Sequence, residues 1–158
     1  MAKKKYTFID LFAGCGGLSE GFLQTGRFKA LAHVEWEKPM VETLRHRLVE
    51  EWGESESEAK RKVILFDIQK TDELINGSWS EESNQQYGLH NANEVKTKGL
   101  KGIVGKHHVD MIDVEHGVSC ISNRFLIPFF CTQLYLIALV VYSFFLKLNA
   151  HTFRLNKL

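Results

Sequence analysis

The sequence predicts an α/β fold, an incomplete doubly wound sheet of parallel strands with helices on both faces. Three observations carry this. Residues 6–11, "YTFIDL", form a short β-rich apolar run that stops before Gly14, as a buried parallel strand does. A glycine turn and a helix-like stretch follow at once, which is the first half of a strand–helix–strand unit. Two more short apolar runs then end on carboxylates, Glu35 and Asp67, so three strands would bring polar groups to one edge of the sheet.

The elements follow in order. Glycines at 14, 16 and 17 let the backbone turn sharply and come close to a ligand, and amides at the next helix start would face that ligand. Residues 19–25 predict a helix, with Leu18, Phe22 and Leu23 at helical spacing and Gly26 as its stop. Residues 29–34 predict the second strand. It ends at Glu35, 21 residues beyond Gly14, where an acid would grip a ribose hydroxyl pair. Residues 38–51 predict a helix, and residues 63–66 a third strand ending at Asp67. The mixed-sign run at 50–62 reads as a solvated helix end and loop, and the polar stretch at 76–99 as an exposed insertion. Residues 109–112, "VDMI", predict a fourth strand.

Composition narrows the function. The chain has 158 residues, one domain's worth, with 20 Lys plus Arg against 19 Asp plus Glu, so it shows no overall basic footprint for nucleic acid. Cys15, Cys120 and Cys131 are odd in number and widely spaced, which gives neither a disulfide framework nor a zinc pattern and suits a reducing, cytoplasmic compartment. The opening "MAKKK" is not read as a signal peptide, because Asp10 and glycines interrupt the run behind it. His107 and His108 read as a solvated pair, and no metal site is expected.

"DLFAGCGGLSEGF" resembles the first motif of the DNA cytosine-5 methyltransferases, "VEWEKPMVETLRHRL" their second and "FDI" their third, over residues 6–112 in all. The resemblance implies a Rossmann-like, S-adenosylmethionine-dependent methyltransferase sheet. Under it, Phe12, Ala13, Gly14, Cys15, Gly16, Gly17 and Leu18 would wrap the methionine and sulfonium part of that cofactor. Glu35 would take the ribose hydroxyls and Trp36 would pack on the adenine. Asp67 would accept from the adenine amino group, and Ile68 would donate through its backbone. A carboxylate suits two hydroxyl donors, and an indole face suits a purine or a cation. The rival reading of the same turn is a nicotinamide- or flavin-binding module. Trp36 beside the acid and Asp67 on the third strand favour the methyltransferase.

The family's catalytic parts are the gap in the resemblance. It implies a thiolate in a Pro-Cys dipeptide after the fourth strand, attacking carbon 6 of a flipped-out cytosine. Here the two prolines, Pro39 and Pro128, precede Met40 and Phe129, and "DVEHGVSC" stands where the motif is expected. Cys120 is close in position but has no shaped loop around it, so no catalytic residue is assigned. The Glu-Asn-Val motif, the target-recognition region and the final covering helix of the family are also unmatched. DNA is therefore the expected partner of a complete enzyme and a weak one, if any, of this chain, which is expected to be inactive alone unless a companion chain supplies the rest.

The sequence divides at residue 112: residues 1–112 read as the cofactor-binding half-domain and 113–158 as an unrelated tail. Residues 125–146 run 22 residues without a formal charge, long enough to span a membrane. A frame-shifted end is the leading reading of this tail. A membrane anchor, which would make the chain a non-enzymatic membrane-associated remnant, and a divergent core extension are the alternatives.

Overall fold

The structure is a computed structural model that describes residues 5–113. Cys120, Cys131, the apolar run at 125–146 and the tail reading built on them lie outside the described residues.

Four parallel strands form one sheet in the order β3-β2-β1-β4. They are β1 (Tyr6–Asp10), β2 (Phe28–Glu35), β3 (Val63–Leu65) and β4 (Met111–Asp113). The chain steps from β1 outward to β2 and β3, then crosses back to lay β4 on the other side of β1. The direction of winding therefore reverses between β1 and β4. In open parallel sheets, ligands bind outside the carboxyl ends of the strands at such a reversal. Right-handed crossovers put the helices that link β1 to β2 and β2 to β3 on one face, and those that link β3 to β4 on the other.

The early helices follow the sequence pattern closely. Helix α1 (Gly17–Gln24) starts from Gly16 at φ 86°, and its Thr25 end is closed by bonds to Leu23 and Phe22 carbonyls. Helix α2 (Lys38–Glu50) carries Pro39 in its first turn, where a missing N–H costs nothing, and buries Val41, Leu44 and Leu48 against the sheet. Each such aliphatic side chain contributes roughly 1.5–3 kcal/mol of burial. Phe8, Phe22 and Phe28 pack edge-on or tilted between β1, α1 and β2, with centroids 5.1–6.4 Å apart.

Two sequence expectations are corrected. Within the charged run at 50–62, Glu56–Lys62 is a helix, α3. Ser55 caps it by accepting from the Glu58 amide, acids fill its first turn and Lys60, Arg61 and Lys62 its last, so local capping and dipole charges make a helix of a segment with one buried residue, Ala59. The stretch at 76–99 is not an exposed insertion. It holds the end of α4 (Thr71–Asn76), then α5 (Glu81–Tyr87), a 3-10 turn (Gly88–His90) and most of α6 (Asn93–Val104). Trp79 stacks on Phe66 at 4.4 Å, and Tyr87 closes on the same ring at 5.0 Å. Trp79, Ser83, Tyr87, Asn91, Val95 and Gly99 are all buried. Gly77 and Gly99 touch backbone to backbone there: a Cβ on Gly99 would stand 2.4 Å from the Gly77 nitrogen.

The outer edge of β3 is closed by side chains. The Asn91 amide accepts from Leu65 N–H at 3.0 Å and donates to the Leu65 carbonyl at 2.9 Å, as a neighbouring strand would. Arg45 donates to the Val63 carbonyl at 2.5 Å, and the Val63 amide bonds back to Ala59 at the end of α3.

Candidate functional site

The glycine turn between β1 and α1 is tied to its neighbours at five points. Gly14 N–H donates to Glu35 Oε2 at 2.8 Å, across from the end of β2. Ala13 N–H donates to the Val34 carbonyl at 3.1 Å, which extends the β1–β2 ladder into the turn. Phe12 N–H donates to Asp10 Oδ1 at 3.2 Å. The Cys15 carbonyl accepts from Arg47 Nη1 of α2 at 2.9 Å, and the same guanidinium is ion-paired with Glu20 and Glu51. Gly16 lies against α2 so closely that a Cβ there would stand 2.4 Å from Leu44 Cδ1. That contact and its positive φ both call for glycine.

Glu35 is buried at the strand end, and its carboxylate already has three donors. Oε2 takes the Gly14 amide, while Oε1 takes the Trp36 amide at 2.8 Å and the Glu37 amide at 2.9 Å. A carboxylate offers about four acceptor positions, so about one remains for an incoming hydroxyl. Its work in this structure is to hold the turn against β2. Trp36, next along the chain, is 67% exposed. Met40 is 41% exposed, with its sulfur 3.9 Å from where a Gly14 Cβ would be, and Leu18 in the first turn of α1 is 39% exposed. The larger exposed apolar side chains of the described residues are five, and these three stand at the carboxyl edge around the glycine turn.

The remaining expected residues are placed as follows. Asp67 follows β3, half-buried, and its Oδ1 accepts from Gln69 N–H at 2.8 Å. Ile68 packs against the core, and its carbonyl accepts from the Thr71 hydroxyl. Phe12 packs on the core as well, Ala13 is buried, and Gly17 opens α1 with clear space where a Cβ would be. Cys15 is exposed and unbonded to another cysteine among the described residues. His107 and His108 are exposed, and no group of three metal-ligating side chains occurs among the described residues. Cys120 is outside them.

The sequence reading passed over a buried polar group beneath the turn. Ser19 Oγ donates to Asp10 Oδ2 at 2.6 Å and lies 3.2 Å from His33 Nδ1. Asp10 is 2% exposed and His33 0%. Burial, reinforced by the nearby Asp113 and Glu35 carboxylates, pushes Asp10 up to about 6, against the pull of the Ser19 and Phe12 donors. Burial holds His33 neutral, down at about 3. The available signal was Asp10 at the end of an apolar strand, nine residues before a serine on the inner side of α1.

A glycine turn after β1 and an acid and an exposed aromatic at the end of β2 thus gather along the carboxyl edge of a parallel sheet, the edge at which open α/β sheets bind ligands. Comparison with known proteins specifies the family. The family model of the C-5 cytosine-specific DNA methylases matches residues 6–91. The Type II methyltransferase M.HgiGI of Herpetosiphon aurantiacus is 32% identical over 90 residues, which cover 54% of this chain and 71% of that protein. No solved structure matches. The chain belongs to the C-5 cytosine-specific DNA methylase family, S-adenosylmethionine-dependent methyltransferases that act on DNA. The family match ends at residue 91, so α6 and β4 rest on the fold alone. Among the described residues, no helix is long and apolar enough to cross a membrane.

Proposed function

We propose that the carboxyl edge of this sheet binds S-adenosylmethionine, as the cofactor-binding N-terminal part of a DNA cytosine-5 methyltransferase of the restriction-modification type. The observation that carries this is the Gly14–Glu35 bond with Trp36 exposed beside it. It holds the turn open to close approach and leaves an indole face bare where a purine would stack. The residues present fit the cofactor. The turn from Phe12 to Leu18 receives its methionine end, and Leu18 and Met40 flank the opening. Glu35 meets the ribose with its one remaining acceptor position, while Asp67 and Ile68 at the end of β3 meet the adenine edge. The cofactor supplies an electrophilic methyl group; the chain's own residues bind and orient it. Residues 1–112 are the cofactor-binding half, and 113–158 a distinct tail.

The test is ligand-shifted melting and calorimetry of the full chain with S-adenosylmethionine, its demethylated product and NAD. The two methyl-cycle ligands should bind and NAD should not. Tighter NAD binding would move the site to the nicotinamide class. Glu35→Ala should weaken S-adenosylmethionine binding and also lower the stability of the free chain by about 1–3 kcal/mol, because three amides lose their shared acceptor.

A further inference from the structure

We propose that Asp10 is a positioning residue of the cofactor site, whose ionised carboxylate holds both ends of the glycine turn. The inference rests on the reading of that turn as the S-adenosylmethionine site. The turn opens at Phe12 and leads into the first turn of α1, which holds Ser19, and each of these two residues is bound by one oxygen of the same carboxylate: Phe12 N–H by Oδ1 at 3.2 Å and the Ser19 hydroxyl by Oδ2 at 2.6 Å. Asp10 is buried, so it acts through the backbone it holds and not by touching the cofactor.

The surroundings make that hold depend on a proton. The groups facing Asp10 are His33 and Glu35 from β2, Asp113 from β4 and the uncharged Ser19 from α1. Glu20, the charged residue of α1 closest in sequence to Ser19, is turned away to Arg47. Among the described residues, two like charges and a neutral imidazole thus face the carboxylate and no cation does; Asp10 takes up a proton near pH 6.

Ionised Asp10 accepts from both positions: Ser19 donates to Oδ2 and Phe12 N–H donates to Oδ1. With Oδ2 protonated, the carboxyl group donates to Ser19 instead, and the serine proton loses its charged acceptor. Protonation also reduces the Phe12 bond from a charge-assisted to a neutral one, roughly half as strong. The turn is therefore held tightly above about pH 6 and loosely below it.

The experiment is S-adenosylmethionine titration of the full chain by calorimetry between about pH 5 and pH 8, beside Asp10→Asn and Ser19→Ala. The unsubstituted chain should bind about five- to tenfold more tightly at the upper end than at the lower. Asp10→Asn should be weaker at the upper end and lose the Asp10-dependent slope. Ser19→Ala should keep the slope but move its midpoint upward, because the hydroxyl that favours the carboxylate is gone. A merely structural defect would weaken binding without moving a midpoint. An unchanged slope in Asp10→Asn, or an unmoved midpoint in Ser19→Ala, overturns the inference and leaves the cofactor reading standing. If the unsubstituted chain melts cooperatively yet binds at no pH, both fall together.

Discussion

Asp10 carries a stability cost at neutral pH. Its folded-state value is raised from 3.8 to about 6, so the native chain holds the proton more tightly than the unfolded chain does. Its contribution is therefore most favourable below the unfolded value, declines as pH rises from about 4 to about 6, and remains at its least favourable above that. A rise of that size corresponds to roughly 3 kcal/mol, and at 2% exposure solvent screening takes little off. Asp10→Asn should accordingly be more stable than the native chain at neutral pH, by up to about 3 kcal/mol, and the two should converge below about pH 4. Denaturant melts at two pH values test this, and a neutral-pH loss of stability in the variant would contradict it. Keeping a costly charge under a ligand-facing turn is the trade expected where function and stability compete. The polar residues beneath the turn also show where sequence reading stops. Asp10, Ser19 and His33 have surface chemistry by type, and only the meeting of three elements makes them interior.

The elements divide by how their burial is written. β1, α1, β2 and α2 were legible within one or two residues because each buries an uninterrupted apolar run or a helical stripe, such as Val41, Leu44 and Leu48. So was the candidate site's frame, since Gly14, Glu35 and Asp67 sit at the ends of such runs. The stretch at 76–99 reads as an exposed insertion because it anchors by isolated residues: Trp79 and Tyr87 on Phe66, Gly77 on Gly99, Asn91 on Leu65. None of these makes a periodic pattern. Asn91 carries the most weight among them, bonding to both backbone groups of Leu65 and to the Tyr87 carbonyl at 3.0 Å. Asn91→Ala should cost about 2–3 kcal/mol, since buried Leu65 and Tyr87 groups lose their partners. Urea melts measure the loss, and amide exchange at Leu65 should quicken well before global unfolding. A variant as stable as the native chain would show that water replaces the side chain there.

At the scale of the whole molecule, binding a methyl donor is one part of cytosine methylation, and activating the base is another. The sequence contains no Pro-Cys dipeptide, and without a thiolate at carbon 6 of cytosine the neighbouring carbon stays unactivated. Bringing a methyl donor close does not replace that covalent step. This chain alone should transfer no methyl groups to DNA. Tritiated methyl incorporation, run beside Cys120→Ala, measures it. Incorporation that disappears in the variant would make Cys120 the nucleophile after all. Activity that emerges only with a separately supplied C-terminal chain would show a split enzyme. The architecture bears on how such a chain would join. Each outward backbone group of β3 at Val63 and Leu65 is already taken, by Asn91, Arg45 and the end of α3. That border cannot template another strand. Among the described residues β4 is the opposite border, and the strand order places it beside the winding reversal. Among the described residues, a strand added to this sheet would therefore join at β4, on the side of β1 away from β2 and β3.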